Sequence, residues 1–210
     1  MSKASLFSIG IAVTFSCSSV ALASEQTDPW SGLYGGLTYS SSKIDATGTK
    51  SGSASYSVDA DNDNTNVGLF VGYNYNLSPV IIGLEVGLQD KLAEDPSVPD
   101  LVGKVTYDSL IEYKIKAGYP MDQILPYAFY GGGSMKIAWS AYNTSQSYSG
   151  YRTMGVGVDY LLNQNVILGF EYAKSSVDII YSDQNSLGYI DDTDLTAMRI
   201  RIGYHLPPFF

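Results

Sequence analysis

The 210-residue sequence predicts an all-β fold, an eight-stranded antiparallel up-and-down transmembrane β-barrel. Three observations predict it. Apolar residues alternate with small or polar residues in eight segments, as in strands that have two different faces. The connections between these segments are alternately long and short, which is typical of barrels with loops on one rim and tight turns on the other. Charged residues occupy only one of the two faces of each segment.

The composition agrees with this fold and argues against other classes. The chain contains 21 glycines and 18 tyrosines, which suit turns, strands and aromatic belts. Its formal net charge of −9 argues against nucleic acid as a partner. No apolar run reaches the length of about 18 residues that a transmembrane helix needs.

Residues 1–23 have the features of a secretory signal peptide. Lys3 supplies the positive start, an apolar stretch follows, and Ala21-Leu22-Ala23 is a small-residue cleavage site. The only cysteine, Cys17, lies inside this segment. The predicted domains are therefore a signal peptide, 1–23, and an exported outer-membrane barrel without disulfides, 24–210.

In each predicted strand the apolar residues occupy alternate positions, so they lie on one face. The first, 30–39, has Leu33, Leu37 and Tyr39 on its apolar face. In the fifth, 127–139, we place Phe129 and Met135 outward. The remaining six strands are 67–75, 80–88, 111–119, 154–160, 166–172 and 195–206.

The connections between these strands are of two kinds. Clusters of Ser, Gly, Asp and Asn predict four long polar loops at 43–66, 89–104, 142–151 and 175–193. Asn- and Pro-containing segments predict three short turns at 76–79, 120–126 and 163–165. An even number of strands places both ends of the barrel on the turn rim.

The distribution of charge predicts which face meets lipid. The apolar phase carries no Asp, Glu, Lys or Arg, whereas the opposite phase carries nine charged residues. An Arg or Lys that faces mid-bilayer lipid costs about 2–4 kcal/mol, so the charged phase is expected to face the lumen. The predicted lumen charge network consists of Glu85, Glu112, Lys114, Lys116, Lys136, Asp159, Glu171, Arg199 and Arg201. Near-balanced signs and many inward glycines predict a packed lumen without a wide aqueous channel.

Aromatic residues on the lipid phase fall at the ends of the predicted strands. Amphipathic rings are enriched at the two membrane interfaces, so two girdles are expected. The predicted interface aromatics are Tyr39, Tyr73, Tyr119, Tyr127, Trp139, Tyr160, Tyr172 and Tyr204.

Two motifs resemble a known family. The segment Trp30-Ser31-Gly32-Leu33-Tyr34-x-Gly36 resembles the first strand of the OmpA-like, porin-family small outer-membrane β-barrel proteins of Gram-negative bacteria, and residues 199–206 resemble their closing strand. The resemblance implies insertion by the barrel-assembly machinery, which recognises a terminal aromatic residue. Here Pro207-Pro208 interrupts the last strand, and Phe210 is the expected assembly signal.

His205 and the acidic segment 59–63 have the chemistry of a catalytic or a metal site, but we interpret both as ordinary structural features. His205, the single histidine, is expected to make ordinary lumen contacts at the turn rim. The acidic segment 59–63 begins like a calcium loop, but Asn64 and Phe70 occupy the positions that need Gly and Glu, so the EF-hand interpretation fails. Weak binding of a divalent cation to this acidic segment is an alternative that the sequence leaves open. We expect no enzymatic activity, no cofactor and no dedicated metal site.

The sequence therefore predicts an integral protein of the cell outer membrane with a structural role in the envelope and polar loops at the surface. Its expected partners are outer-membrane lipid and lipopolysaccharide, the barrel-assembly machinery and an unidentified extracellular partner for the loops. Three alternatives stay open: a small-solute channel, an adhesin or host-interaction protein and, least favoured, a lipid A-modifying enzyme.

Overall fold

The computed structural model is a closed barrel of eight antiparallel strands, in which each strand pairs with the next and the eighth pairs with the first. This confirms the predicted fold class. The structure describes residues 29–50, 54–94, 105–139, 144–182 and 188–206, with side chains described over 29–43, 65–90, 109–135, 150–176 and 194–206. The strands are β1 (Gly32–Lys50), β2 (Ala54–Asn76), β3 (Ile81–Glu94), β4 (Val105–Gly118), β5 (Ile124–Trp139), β6 (Thr144–Leu161), β7 (Val166–Ser182) and β8 (Gly188–His205). The described part of the chain contains no helix that could span a membrane.

Three of the four segments predicted to be long loops, 43–66, 142–151 and 175–193, are largely paired strand, so that part of the prediction was wrong. In 89–104, residues 89–94 continue β3, and 95–104 lie outside the described residues. β1 and β2 stay paired as far as Lys50 and Ala54, and β7 and β8 as far as Ser182 and Gly188. Ladder hydrogen bonds need no apolar side chains. Beyond the lipid both faces of a strand can be polar, so the period of two on which the prediction depended disappears there.

The predicted short turns lie on the opposite rim. Between β2 and β3, the Leu77 amide donates to the Val80 carbonyl at 2.8 Å. Between β6 and β7, the side-chain oxygen of Asn163 accepts the amides of Asn165 and Val166 at 2.9 Å each. The backbone bond at the first turn and the Asn163 side chain at the second satisfy polar groups where the ladder bonds end.

The outward side chains of seven strands are those that the alternation predicts. On β8, for example, Met198, Ile200 and Ile202 are 52–55% exposed, while Arg199 and Arg201 between them are 2% exposed. Large apolar side chains therefore cover the outside of the barrel, and polar groups fill its inside. This is the reverse of a soluble sandwich and matches a barrel in lipid.

The fifth strand has the opposite phase to the one predicted. Phe129 and Met135 point inward and are 5% and 2% exposed, whereas Tyr130 is 57% exposed. Tyr127 also points inward at 5% exposure, so its assignment to the lipid interface was wrong. The error has a physical reason: residues 127–135 contain no charge, have aromatic rings in both phases and include three consecutive glycines, so this segment carries no signal of its own.

Inward glycines lie opposite inward aromatic rings on neighbouring strands. Tyr127 pairs with Gly157 and Phe129 pairs with Gly155. A Cβ atom added at Gly157 would lie 2.5 Å from Cζ of Tyr127, and one at Gly155 would lie 2.6 Å from Cζ of Phe129. Each ring therefore lies flat over a strand position where any side chain would collide with it.

The phase of β5 can be tested with nitroxide labels on single cysteines in a background with Cys17 replaced by serine. We expect a label at Tyr130→Cys to be relaxed by oxygen dissolved in the bilayer, as at the outward control Val156→Cys. A label at Phe129→Cys should be shielded, because that position faces the packed lumen. Power-saturation measurements on folded protein in vesicles give the comparison. Equal oxygen accessibility at positions 129 and 130 would contradict the inward phase of Phe129.

Candidate functional site: the charged lumen

The centre of the barrel holds charged side chains that are withdrawn from both water and lipid. Of the nine predicted lumen charges, eight have described side chains, and all eight are at most 4% exposed. The acids are Glu85, Glu112, Asp159 and Glu171, and the bases are Lys114, Lys116, Arg199 and Arg201. Their formal charges cancel. Lys136 lies on β5, but its side chain is outside the described set.

Glu171 on β7 is the most connected acid. Both of its carboxylate oxygens accept hydrogen bonds from Lys114 Nζ at 3.0 Å. Arg199 donates to it at 3.4 Å, and Arg201 forms a short ion pair with the other oxygen. The Tyr127 hydroxyl donates to it at 2.9 Å. A fully buried carboxylate thus has three bases and a phenol around it, which offsets its loss of hydration.

The other two glutamates extend this arrangement to the opposite wall. Glu85 on β3 forms ion pairs with Arg201 at 2.5 Å and with Lys114 at 2.7 Å. Glu112 on β4 accepts two parallel bonds of 2.9 Å from the guanidinium of Arg199 on β8. Such a forked pair is both strong and geometrically specific. Because β4 and β8 lie on opposite sides of the closed barrel, this pair spans the lumen.

Aromatic rings surround the ammonium and guanidinium groups. Lys116 Nζ lies between the rings of Tyr34 and Tyr127, 4.6 Å and 4.7 Å from their centroids, and 3.4 Å from Glu85. The guanidinium of Arg201 lies 4.1 Å from the centroid of Phe70. Electrostatic attraction of cations to ring faces is strongest where water is excluded.

The sequence analysis missed the aromatic part of this site. For Tyr34 and Phe70 a signal was available, because each stands one position out of phase with the apolar residues of its strand. For Tyr127 and Phe129 none was available, because β5 lacks alternation. Tyr34 also donates from its hydroxyl to Glu85 at 2.9 Å, so these rings are part of the hydrogen-bonded network.

The network leaves almost no free space. The gap beside it, lined by Glu85, Glu112, Lys114, Arg199 and their neighbours, has a volume of about 10 Å³. That volume is at the lower limit of about 10–15 Å³ for holding one water molecule. Across the described residues, the middle of the lumen is therefore filled by side chains.

The turn end of the lumen is covered by Trp30. Its indole is 1% exposed and donates to the carbonyl of Asp122 at 3.0 Å. Its ring packs edge-on against His205, whose own ring lies 5.6 Å from Tyr34. His205 is 4% exposed. It occupies the predicted place at the turn rim, packed between aromatic rings.

The loop end of the lumen is lined by hydroxyl groups instead of charges. Tyr151 donates to Glu112 at 3.1 Å, and its hydroxyl oxygen lies 2.9 Å from that of Ser175, which is itself 2.9 Å from the hydroxyl oxygen of Thr153. The polarity of the lumen therefore changes along its axis, from aromatic at the turns through ionic in the middle to hydroxylic below the hairpins.

Five of the predicted interface aromatics are exposed on the outer face at 40–53%: Tyr39, Tyr73, Tyr119, Tyr160 and Tyr204. Tyr172 is on the same face and half-buried. The side chain of Trp139 and the expected assembly signal Phe210 lie outside the described side chains, as does the acidic segment 59–63. Among the described side chains, no cluster of three or more His, Cys, Asp or Glu residues is arranged to hold a metal ion.

Comparisons with known proteins agree on the architecture. A protein-family model described as "Outer membrane protein beta-barrel domain" matches residues 9–207. Among solved structures, AlkL, an outer membrane protein, aligns with a TM-score of 0.54 at 14% identity, over 90% of this chain and 96% of its own. A search of curated proteins found no match.

Two further barrels align less closely. The attachment invasion locus protein Ail of Yersinia pestis has a TM-score of 0.47 at 16% identity, over 83% of this chain and 99% of its own. Neisserial surface protein A has a TM-score of 0.43 at 11% identity, over 82% and 99%. At 14% identity, the similarity to AlkL shows a common fold and nothing more.

Proposed function

This chain belongs to the outer membrane protein β-barrel domain family, and from that premise we propose that it is a closed, non-enzymatic barrel with a structural role in the envelope. It lies in the outer membrane as a multi-strand barrel. The observation that carries the proposal is the ion-pair network across the lumen, above all the pair between Glu112 and Arg199.

A continuous solute pathway would require this network to open. An ion crossing the middle of the barrel would have to separate Arg201 from Glu85 and Glu171, and Lys114 from the same two acids. Breaking a buried pair leaves uncompensated charges and costs about 3–5 kcal/mol. Several such pairs lie in one layer, which supports a closed lumen over the small-solute channel.

The paired extensions on the other rim support presentation of polar surface outside the membrane. Ser41 on β1 pairs with the outward residue Met198 on β8. From Ser41, β1 continues as a paired strand to Lys50. At about 3.4 Å per residue, this portion of the strand is roughly 30 Å long. A paired hairpin holds its shape better than a free loop does, and it offers an extracellular partner a defined surface.

The position of His205 supports the proposal that the protein is not an enzyme. The ring is packed between Trp30 and Tyr34 on the turn rim, so it is closed to a lipid substrate in the leaflet on the hairpin side. Recognition of Phe210 by the barrel-assembly machinery stays a prediction.

Single-channel recording in a planar bilayer tests the closed lumen. We expect protein that shows the heat-sensitive compact band on an unboiled gel to give no steady discrete openings. As a matched control, replacing Glu85, Lys114, Glu171 and Arg201 with serine together keeps the net charge and removes the pairs that an ion would have to separate, so the folded form of this variant should conduct. Steady openings from the unsubstituted protein would replace this proposal with the channel.

A further inference from the structure

The residues just before β1 cross the turn end of the barrel. Trp30 precedes β1 by two residues, and its indole N–H donates to the carbonyl of Asp122 at 3.0 Å. Asp122 lies in the turn between β4 and β5, on the far side of the closed barrel from β1. Pro29 lines the same surface recess as Asp122. Residues 29–32 therefore extend across the end of the lumen, and we call them the strap.

The backbone has a special conformation at each end of the strap. Gly32 has a φ of +115°, and a Cβ atom there would have no neighbour within 4 Å, so the backbone conformation and not the space favours glycine. Asp122 has a φ of 52°, and aspartate is among the few residues other than glycine that adopt this left-handed conformation. The first turns the chain from β1 into the strap, and the second belongs to the residue whose carbonyl accepts the indole N–H.

The surface that receives the indole is built from several strands. The Trp30 ring lies edge-on to His205 of β8, with ring centroids 6.4 Å apart, and the His205 ring lies 5.6 Å from that of Tyr34 on β1. Trp30 is 1% exposed and belongs to a buried cluster that includes Ile81 of β3 and Leu125 of β5. Because these strands surround one lumen only in the closed barrel, the indole can pack there only after the barrel has closed.

The strap lies at the turn end of the seam, the name we give to the pairing of β1 with β8. Among the eight described strands, these two are the neighbours that are not consecutive in the chain, so no connecting segment holds them together. At the turn end, the seam finishes with the pair Tyr34 and His205 and with the Leu206 amide, which donates to the Leu33 carbonyl at 2.9 Å. Chain ends separate first unless other contacts hold them. The barrel is therefore expected to open first at this seam.

We propose that the strap is a clasp that keeps the seam closed at the turn end. Trp30 is joined to β1, packs against His205 of β8 and is bonded to Asp122 in the turn between β4 and β5. β1 cannot move away from β8 at this rim without withdrawing the buried indole and breaking its hydrogen bond. Aromatic side chains of this size dominate the energetics of buried contacts. The proposal concerns the opening of the seam and does not depend on whether the barrel conducts.

Hydrogen exchange of the folded protein in micelles, followed by NMR, tests the clasp. Replacing a buried tryptophan with alanine is among the costliest core substitutions, so we expect Trp30→Ala to speed exchange at least about tenfold for amides that bond across the seam. Amides that bond between β3 and β4 should change much less. Trp30→Phe keeps a ring and loses one hydrogen bond, so it should speed exchange at the seam by about fivefold.

A substitution in another part of the lumen is the matched control. Leu110 on β4 is also 1% exposed, and β4 is not part of the seam. Leu110→Ala should therefore speed exchange in β4 and its neighbours more than at the seam. This is the reverse of the pattern expected for Trp30→Ala, so the comparison separates a clasp from a general loss of packing.

Disulfides between outward residues separate the seam from the rest of the barrel. In the same cysteine-free background, Leu37→Cys with Ile202→Cys joins paired positions of the seam, and Leu69→Cys with Leu88→Cys joins paired positions of β2 and β3. The oxidised seam disulfide should abolish the effect of Trp30→Ala on exchange at the seam. The disulfide between β2 and β3 should leave that effect intact, as should reduction of either disulfide.

Three results would each overturn the clasp: unchanged exchange at the seam in Trp30→Ala, equally faster exchange in all strands, or the same effect from both disulfides. Unboiled gels establish that every variant is folded. If Trp30→Ala does not fold, Trp30→Phe provides the same comparisons, with the smaller effect that the lost hydrogen bond predicts.

Discussion

Replacing Glu171 with glutamine is expected to destabilise the folded barrel by about 3–5 kcal/mol, the usual result of removing one partner from a buried ion pair. Glu171 is 0% exposed and is bonded to Lys114, Arg199, Arg201 and Tyr127. With the charge gone, four buried bases face three acids. The amide of glutamine keeps the shape of the side chain, so the loss reports the charge and not a cavity.

Urea unfolding in lipid vesicles, followed by tryptophan fluorescence and by the heat-sensitive gel band, measures this change. The matched control is Asp90→Asn, an exposed acid on the outer face, which should alter the free energy of unfolding by less than about 0.5 kcal/mol. The double variant Glu171→Gln with Lys114→Gln restores neutrality, so it should lose at least about 1 kcal/mol less than the sum of the two single variants. A loss below about 1 kcal/mol for Glu171→Gln would mean that water or a rearranged partner compensates the bases.

Replacing Gly157 with alanine is expected to destabilise the barrel by about 2 kcal/mol, within the range for overpacking a well-filled interior. The new methyl group would lie 2.5 Å from Cζ and 2.6 Å from the hydroxyl oxygen of Tyr127. That ring cannot move without cost, because its hydroxyl bonds Glu171 at 2.9 Å and accepts from Arg201 at 2.8 Å. A single methyl group should therefore disturb the centre of the network.

Gly87 provides the matched comparison, because it also points into the lumen but has room. A Cβ atom there would have its nearest neighbours at 3.8 Å and 4.0 Å, which is ordinary contact. Gly87→Ala should therefore be neutral or stabilise by about 0.4–1 kcal/mol through the unfolded chain. Combining Gly157→Ala with Tyr127→Val should make the alanine almost without effect, because the colliding ring is gone. Equal changes in the free energy of unfolding for Gly157→Ala and Gly87→Ala would show that the Tyr127 ring does not exclude a side chain at position 157.

Where alternation and charge coincide, the sequence was sufficient to predict both the strand and its facing. On β8 the bases Arg199 and Arg201 alternate with apolar residues, and neither base could face lipid without a cost of about 2–4 kcal/mol. The same argument placed Glu85, Glu112, Lys114, Lys116, Asp159 and Glu171 on the inner phase, where the structure has them.

Where a segment lacks that contrast, the sequence was insufficient. Tyr127 and Tyr130 are equally plausible at a lipid interface, and the three glycines between Tyr130 and Ser134 point to neither face. Only the neighbours decide: Gly155 and Gly157 on β6 leave space for inward rings, and Glu171 and Arg201 offer partners to the Tyr127 hydroxyl. The paired extensions beyond the lipid were not predicted for a related reason, since polar and small residues follow one another there without the alternation that predicts a strand.

By itself, the sequence determined the number of strands, the turn rim, the face that meets lipid on seven strands and eight inward charged residues. These properties follow from local alternation and from the free energy of transferring a charge to hydrocarbon, and both can be evaluated strand by strand. The tertiary structure alone decided which acid pairs with which base, the inward phase of β5 and the rings over the glycines. Each of these depends on contacts between residues that are far apart in the chain and meet only when the barrel closes.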